Sequence, residues 1–290
     1  MSWRTVVISQ RCKLDLSMGY MVVRGEETIR VFLDELAVVV IENCAVSMTG
    51  CLLSALTEKK VKVIFCDEKR NPCAELVPHH GSFDSTKKIR TQAKWTDSCK
   101  GAVWTEIITN KILNQAAHLA LLEHDEQAAL LREYVTQIQF DDVTNREGHA
   151  AKVYFNALFG MKFARGQDNP VNSALNYGYS LILSCCNREI AVNGYLTQLG
   201  IHHDNVFNAF NLGCDLMEPF RIAVDRCVVQ MEPDAFTASE KRTVLGILEQ
   251  ETVIAGTRQT IQNAMKIYVK SVLDALGQGD ISLLQFPILI

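Results

Sequence analysis

Between Gly200 and Asp225 the chain reads GIHHDNVFNAFNLGCDLMEPFRIAVD. This stretch sets a His pair, His202 and His203, and two carboxylates, Asp215 and Glu218, into a run otherwise built from Val206, Phe207, Phe210, Leu212, Leu216 and Met217. Fifteen positions separate His203 from Glu218. A carboxylate in an apolar setting needs a partner, because an unpaired buried charge is expensive. A divalent cation would serve, and so would a salt bridge to Arg221 or Arg226. Residue types alone leave both readings open.

Two further stretches carry polar groups at helical spacing. In NREGHAAKVYFNALF, Asn145 to Phe159, residues Glu147, Ala151 and Tyr154 fall on one helix face, which puts a carboxylate beside small side chains and lets a ligand approach. An exposed Glu in a first helical turn, favoured by the helix dipole, is the competing account. In NPVNSALNYGYSLILS, Asn172 and Asn176 share a face at i, i+4. If Glu147, His203 and Glu218 met, two carboxylates and an imidazole would suit Mg2+ or Mn2+ with waters retained. Such sites serve phosphoryl chemistry, in which the cation polarises the phosphate. His79 and His80 are further candidate ligands in a polar loop, whereas His149, two residues past Glu147, points elsewhere on a helix. The chain has no GxSxG, phosphate-binding P-loop, dinucleotide fingerprint or HExxH.

These residues need elements to hold them. Residues 1–77 read as β-rich, with TVVIS, GYMVVRG, TIRVFL and LAVVVIE as β-branched runs and turns at Gly19 and Gly25. Leu52, Leu53 and Leu56 predict a short helix feeding a strand, VKVIFCD. Residues 78–95, with Pro78 and Gly81, read as a linker in which a helix begins near Ser85. It carries the basic cluster Lys87, Lys88, Arg90 and Lys94, either a solvated face or a phosphate contact. From 96 to 290 the pattern is helical. Ile107, Ile108, Ile112, Leu113, Ala116, Leu119 and Ala120 follow the 3.6 period, Ala128 to Ile138 repeats it, and Asn169–Pro170 marks a helix start before the apolar Val171 to Cys186. Thr237 to Leu276 reads as a long helical region with a break near Gly256. The tail ISLLQFPILI is apolar enough to pack on its own domain or dock on a partner. The expected fold class is α+β, a β-rich N-terminal domain followed by an all-α domain.

The 290 residues are 48% hydrophobic, with net charge −4 and ten scattered cysteines. That cysteine pattern fits reduced thiols in a cytoplasmic protein and offers no zinc-site spacing. No run of 18 apolar residues and no signal-peptide order occurs, so the expectation is a cytoplasmic protein without a membrane. The acidic balance leaves nucleic-acid binding to local basic patches.

In combination, the motifs resemble one family: the integrase subunit of CRISPR adaptation, the larger and universal protein of the spacer-acquisition pair. That family carries EGxAAxxYF, then NPVNALLxxGYxLL, then a His upstream of DLMEPFR. This chain has EGHAAKVYF, NPVNSALNYGYSLI and His203 before CDLMEPFR, with VSMTGCLLSAL and VKVIFCDE matching in the N-terminal half. The resemblance covers nearly the whole chain. The compact spacing GIHHDNVFNAFNLGCDLMEPFR is similar to the type II version, the II-A branch in particular.

The resemblance implies a metal-dependent DNA integrase and endonuclease of the bacterial cytoplasm, with Glu147, His203 and Glu218 as catalytic residues and ligands to Mg2+ or Mn2+. Many relatives have a GFLH-like string where this chain has GIHH. His202 is therefore the competing imidazole, and Asp215 the second choice of carboxylate. The implied N-terminal domain dimerises. Two homodimers are bridged by a dimer of a small ferredoxin-like adaptation protein, with other type II-A CRISPR proteins among the partners. The complex would hold a protospacer duplex with 3′ overhangs and join its 3′-hydroxyls to the ends of a CRISPR repeat beside the leader. Candidate DNA contacts are Lys87, Lys88, Arg90, Lys94, Arg146, Arg165 and Arg221, although Arg221 is equally a structural partner for Asp215 or Glu218. A DNA-repair nuclease and a non-catalytic helical scaffold are the rival classes.

Overall fold

The structure, a computed structural model, describes residues 4–68, 70–76, 82 and 84–288. It divides into two compact units, Met1–Phe83 and Asp84–Ile290. His79 and His80 lie outside the described residues.

The first unit holds two four-stranded sheets. One has the order β1 (Arg4–Ile8), β5 (Leu36–Ile41), β7 (Lys62–Cys66), β8 (Pro72–Leu76), with β1, β5 and β7 parallel and β8 antiparallel at the edge. Every residue of β5 is buried, as the unbroken apolar run LAVVVI of an interior parallel strand requires. The other sheet is a meander of β2 (Lys13–Ser17), β3 (Tyr20–Arg24) and β4 (Thr28–Phe32), with β6 (Ser47–Met48) parallel to β2. Helix α1 (Gly50–Glu58), capped by the Thr49 hydroxyl, buries Leu52 and Leu56 in a core with Leu14, Met21, Leu36 and Val63. Three strands are additions to the sequence reading. KLDLS is too short and charged to stand out, β6 has only two residues, and β8, within the stretch read as β-rich, opens on Pro72, which is tolerated because β8 is an edge.

The second unit is built on α3 (Asp97–Leu121), a 25-residue helix capped by Thr96. Around it pack α4 (Asp125–Thr136), α5 (Arg146–Phe159), α8 (Arg221–Met231) and α10 (Ile261–Gln278). Helix α6 (Pro170–Val192) begins as the sequence indicates: the Asn169 side chain accepts the Asn172 N–H at 2.8 Å and Pro170 opens the first turn. It packs on α7 (Asn211–Leu216), α8, α9 (Ala238–Leu245) and α10. Helix α2 (Ser85–Gln92) belongs to this unit. Its Gln92 amide donates to Leu196 O at 2.8 Å and Leu199 O at 3.1 Å, and its oxygen accepts the Leu196 N–H at 2.9 Å. Among the described residues no helix is long and apolar enough to cross a membrane.

One element departs from the helical pattern. Where a helical region with a break near Gly256 was expected, β9 (Glu251–Ile254) and β10 (Thr257–Thr260) form a hairpin turning at that break. Ala255 and Gly256 turn it at positive φ, the geometry that matches strand twist. The apolar tail folds back onto this hairpin. Val253 and Ile288 exchange both backbone hydrogen bonds, at 3.1 and 2.7 Å, and Phe286 packs on Tyr268 with ring centroids 5.7 Å apart. The tail through residue 288 therefore covers its own unit. Phe286→Ala should cost about 1–3 kcal/mol, a melting-temperature fall of roughly 2–4 °C per kcal/mol for a unit of this size. An unchanged melting temperature would contradict the docked tail.

Candidate active site

Five of the residues singled out from sequence, Glu147, Arg165, His203, Glu218 and Arg221, line one cavity of about 340 Å3, together with Lys111, Ala151, Tyr179 and Asp225 among others. Each is placed by a distinct local device.

Glu147 stands in the first turn of α5. The turn is fixed from below by Asp142, whose carboxylate accepts the Arg146 N–H at 2.8 Å and the Glu147 N–H at 2.9 Å. Asn145 caps the helix from a left-handed conformation at φ 52°, accepting the Gly148 N–H at 3.1 Å. Ala151, one turn on, lines the cavity and leaves room beside the carboxylate. Tyr154, two turns on, does not: it is fully buried, with its hydroxyl 2.7 Å from His118 Nδ1.

Glu218 follows α7 in a 3-10 turn, and its side chain is only 2% exposed. Two cations meet it. Lys111 Nζ of α3 lies 2.5 Å from Oε2, and Arg221 Nε lies 2.9 Å from Oε1. Lys111 also pairs with Glu147 Oε1, so one ammonium joins the two carboxylates. Burial pushes the Glu218 carboxyl up, yet Lys111 and then Arg221 outweigh it and hold it below its ordinary value. In this structure Glu218 is ion-paired with Arg221, which the sequence offered, and with a lysine that it did not point to.

His203 is placed by Asp215, which is fully buried on α7. Asp215 Oδ2 accepts the N–H groups of Ile201 at 2.7 Å and His202 at 3.2 Å. Oδ1 accepts the His203 N–H at 3.0 Å and lies 2.5 Å from His203 Nδ1. Both oxygens are thereby committed to the histidine loop. That hydrogen bond raises His203 above its ordinary pKa despite its partial desolvation. A Cβ on Gly200 would stand 2.2 Å from His203 O, so only glycine lets the loop close this tightly. His202 takes a different position. Its ring lies flat on buried Trp104, centroids 4.3 Å apart, with Nδ1 3.5 Å from Asp141, and it is not among the residues lining the cavity. The apolar setting read for the whole stretch holds for Leu212, Leu216 and Met217, which are buried. Val206 and Phe207 are instead exposed in the intervening loop.

The cavity lining also includes two guanidinium groups, Arg165 and Arg221. Arg165 is held by Asn172 Oδ1 and by Asn176 Oδ1, the latter at 2.7 Å, which gives the paired asparagines of α6 their role. The guanidinium carbons of Arg165 and Arg221 lie 5.2 and 4.7 Å from the Tyr179 ring centroid. Tyr179 donates its hydroxyl to Asp225. Burial pushes the Asp225 carboxyl up to about 6, against the opposing pull of the Tyr179 hydrogen bond and of Arg221, Lys111 and Arg165.

The remaining basic candidates lie elsewhere. Arg146 sits over the Tyr134 ring at 5.4 Å. Lys87, Arg90 and Lys94 line a shallow depression along α2, while Lys88 is paired with Asp84 at 3.0 Å. Lys111, Trp104, Asp142 and Asp225 are functional-site residues that the sequence reading passed over. Lys111 had a legible signal, since it interrupts the buried stripe Trp104, Ile107, Ile108, Ile112 of α3.

Among the described residues, no three Asp, Glu, His or Cys side chains converge as a metal site, and the Lys111 ammonium bridges Glu147 and Glu218. The donor set nevertheless fits a hard divalent cation: two carboxylates already share one positive charge, and an oriented imidazole lines the same cavity. Guanidinium groups beside such a set suit a phosphodiester.

Residues 5–255 match the family described as CRISPR associated protein Cas1. The chain belongs to the Cas1 family. It is 35% identical over 232 residues to the CRISPR-associated endonuclease Cas1 of Neisseria meningitidis serogroup C (strain 8013), covering 80% of this chain and 76% of that one. The fold is shared with a casposase bound to integration product (TM-score 0.79, 15% identity, 96% of this chain and 92% of that chain). It is also shared with a chain of a Cas6-RT-Cas1–Cas2 complex (TM-score 0.73, 18% identity, 98% of this chain and 36% of that chain). The strings EGHAAKVYF, NPVNSALNYGYSLI and CDLMEPFR each contribute residues to this cavity, among them Glu147, Tyr179 and Glu218.

Asp225 gives this Cas1 a pH signature. An aspartate titrates near 4 in an unfolded chain, and near 6 here. Between those values the folded state binds the extra proton, so this group's contribution to stability falls as pH rises through the window. Urea midpoints of Asp225→Asn and wild type should diverge between pH 4 and 6, in the variant's favour, by on the order of 2–3 kcal/mol, and run parallel above. A constant difference across that range would contradict the assignment.

Proposed function

We propose that this Cas1 is a metal-dependent DNA integrase and endonuclease of CRISPR spacer acquisition, working in the bacterial cytoplasm. The observation that carries the reading is the cavity itself, which gathers Glu147, Glu218 and His203 with Arg165 and Arg221. Glu147, Glu218 and His203 would hold the cation, and Mg2+ or Mn2+ would supply Lewis acidity and charge neutralisation at the phosphate. Asp215 holds Nδ1 of His203, which would leave Nε2 to meet the cation. Asp215 positions that imidazole, and His202 packs on Trp104 as a wall of the loop.

Arg165 and Arg221 bind the non-bridging oxygens of the scissile phosphodiester and offset charge that grows there in the transition state. The reaction is a transesterification. The 3′-oxygen of the incoming strand loses its proton and forms a bond to phosphorus, the repeat strand's 3′-oxygen leaves and takes a proton, and the number of phosphodiesters is unchanged. With water in place of the 3′-hydroxyl, the same groups hydrolyse DNA.

Residues 1–77 form the dimerisation domain, 78–95 the linker and 96–290 the catalytic domain in this reading. Two homodimers flank a dimer of the small ferredoxin-like adaptation protein in this reading; the fold shared with a chain of a Cas6-RT-Cas1–Cas2 complex is compatible with such a partner. The compact histidine loop supports a type II assignment, in the II-A branch. The duplex backbone runs over α2, so Lys87, Arg90 and Lys94 are its contacts there.

Strand transfer of a duplex with 3′ overhangs into a repeat plasmid, with the small partner present, tests the reading. Joining should require Mg2+ or Mn2+ and fall by at least about 10²-fold in His203→Ala and Glu147→Gln, while His202→Ala keeps most of it. Nicking without joining would support a repair nuclease instead. Full activity in Glu147→Gln would support a scaffold whose carboxylates are purely structural. For α2, Gln at 87, 90 and 94 together should lower the slope of log K against log salt by about 2–3, and Lys88→Gln should change it by less than about 1. An unchanged slope in the triple variant removes α2 from the DNA path.

A further inference from the structure

Lys111 is the one ammonium placed between the two carboxylates that the proposed function needs for a divalent cation. Its side chain is 10% exposed, it pairs with Glu147, and its Nζ lies 2.5 Å from Glu218 Oε2. It reaches that point from the buried stripe of α3, an element independent of α5 and α7.

We propose that Lys111 is a built-in, displaceable counter-ion, which neutralises the Glu147–Glu218 pair until a divalent cation binds and then withdraws into the cavity beside Arg165 and Arg221. The inference rests on reading this site as a divalent-cation centre.

Charge and geometry support the exchange. Two carboxylates that share one partner repel when it leaves, so loss of Lys111 favours uptake of another cation or of a proton. A dication brings two charges where the ammonium brings one. Cation and ammonium cannot both stand between Glu147 and Glu218, so binding one removes the other. Lysine suits an exchangeable role better than arginine, because its charge is a compact point on four rotatable methylenes rather than a fixed fork. Arg221 stays on Glu218 Oε1 and keeps that oxygen satisfied while Oε2 changes partner. The cavity of about 340 Å3 has room for the displaced side chain. Withdrawal would turn a structural cation into a third positive group facing a phosphodiester, so the cavity becomes more anion-binding as it loads.

Two readouts other than turnover test this on the full-length protein. The first is Mn2+ affinity, from the electron-paramagnetic-resonance signal of free Mn2+, in wild type, Lys111→Met, Lys111→Arg and Glu147→Gln. Lys111→Met should bind Mn2+ about 10-fold tighter than wild type, the size of an ordinary coupling between competing ligands. It should also melt lower than wild type without metal, and recover with Mn2+. The second readout needs no variant. Reductive methylation with mass spectrometry should find the Lys111 amine protected without metal and about 10-fold more reactive in saturating Mg2+. This footprint decides the matter if Lys111→Met does not fold. Unchanged protection of Lys111 in Mg2+, with Mn2+ binding that Glu147→Gln abolishes, would overturn the exchange and leave the cation site standing. Absence of any Mn2+ binding that Glu147→Gln removes would overturn both.

Discussion

The helical unit is arranged around a carboxylate taken out of water. Glu218 is almost wholly buried, and an isolated charge there would be prohibitive. It is tolerated because two cations reach it from different directions, Lys111 from α3 and Arg221 from the start of α8. Removing either partner costs more than the pair gains, since it leaves a buried charge uncompensated. That dependence ties the long central helix, the turn after α7 and the first turn of α5 into one cluster, through Lys111's second bond to Glu147. The cluster is held near neutrality by two carboxylates, Glu147 and Glu218, set against two cations, Lys111 and Arg221.

A second carboxylate solves a different problem. Asp215 spends its lone pairs on three consecutive backbone N–H groups and on the His203 ring. A short loop with little regular structure acquires a fixed shape and a fixed imidazole orientation from one side chain. Trp104 completes the clamp, stacking on His202 and meeting His203 edge-on at 5.9 Å. Gln92 of α2 secures the segment leading into the loop. The two carboxylates of DLMEPFR therefore have separable duties, one positioning an imidazole and the other facing the cavity.

Motif order and residue chemistry made the site's main parts legible. Glu147, His203 and Glu218 meet around one cavity as their motifs suggested, and the asparagines of NPVNSALN turn out to hold Arg165. Lys111 was hidden because a lysine in a helix reads as surface, and only its place on an apolar stripe betrays it. The choice between His202 and His203 was not legible either. Adjacent loop residues share composition and differ only in what stands behind them, Trp104 for one and Asp215 for the other. In the fold, β5 was plain from its β-branched run, while β2, β8 and the 251–260 hairpin were not. Short strands of mixed polarity draw their stability from neighbours far along the chain, which local pattern does not contain.

The proposed divalent site requires one nitrogen donor, the imidazole of His203 that Asp215 orients. Pulsed electron-paramagnetic-resonance spectroscopy of the Mn2+-loaded protein, with 15N-labelled histidine, measures it directly. The account predicts one imidazole 15N coupling, kept in His202→Gln and lost in His203→Gln. A coupling that survives His203→Gln, or that vanishes in His202→Gln alone, would contradict it.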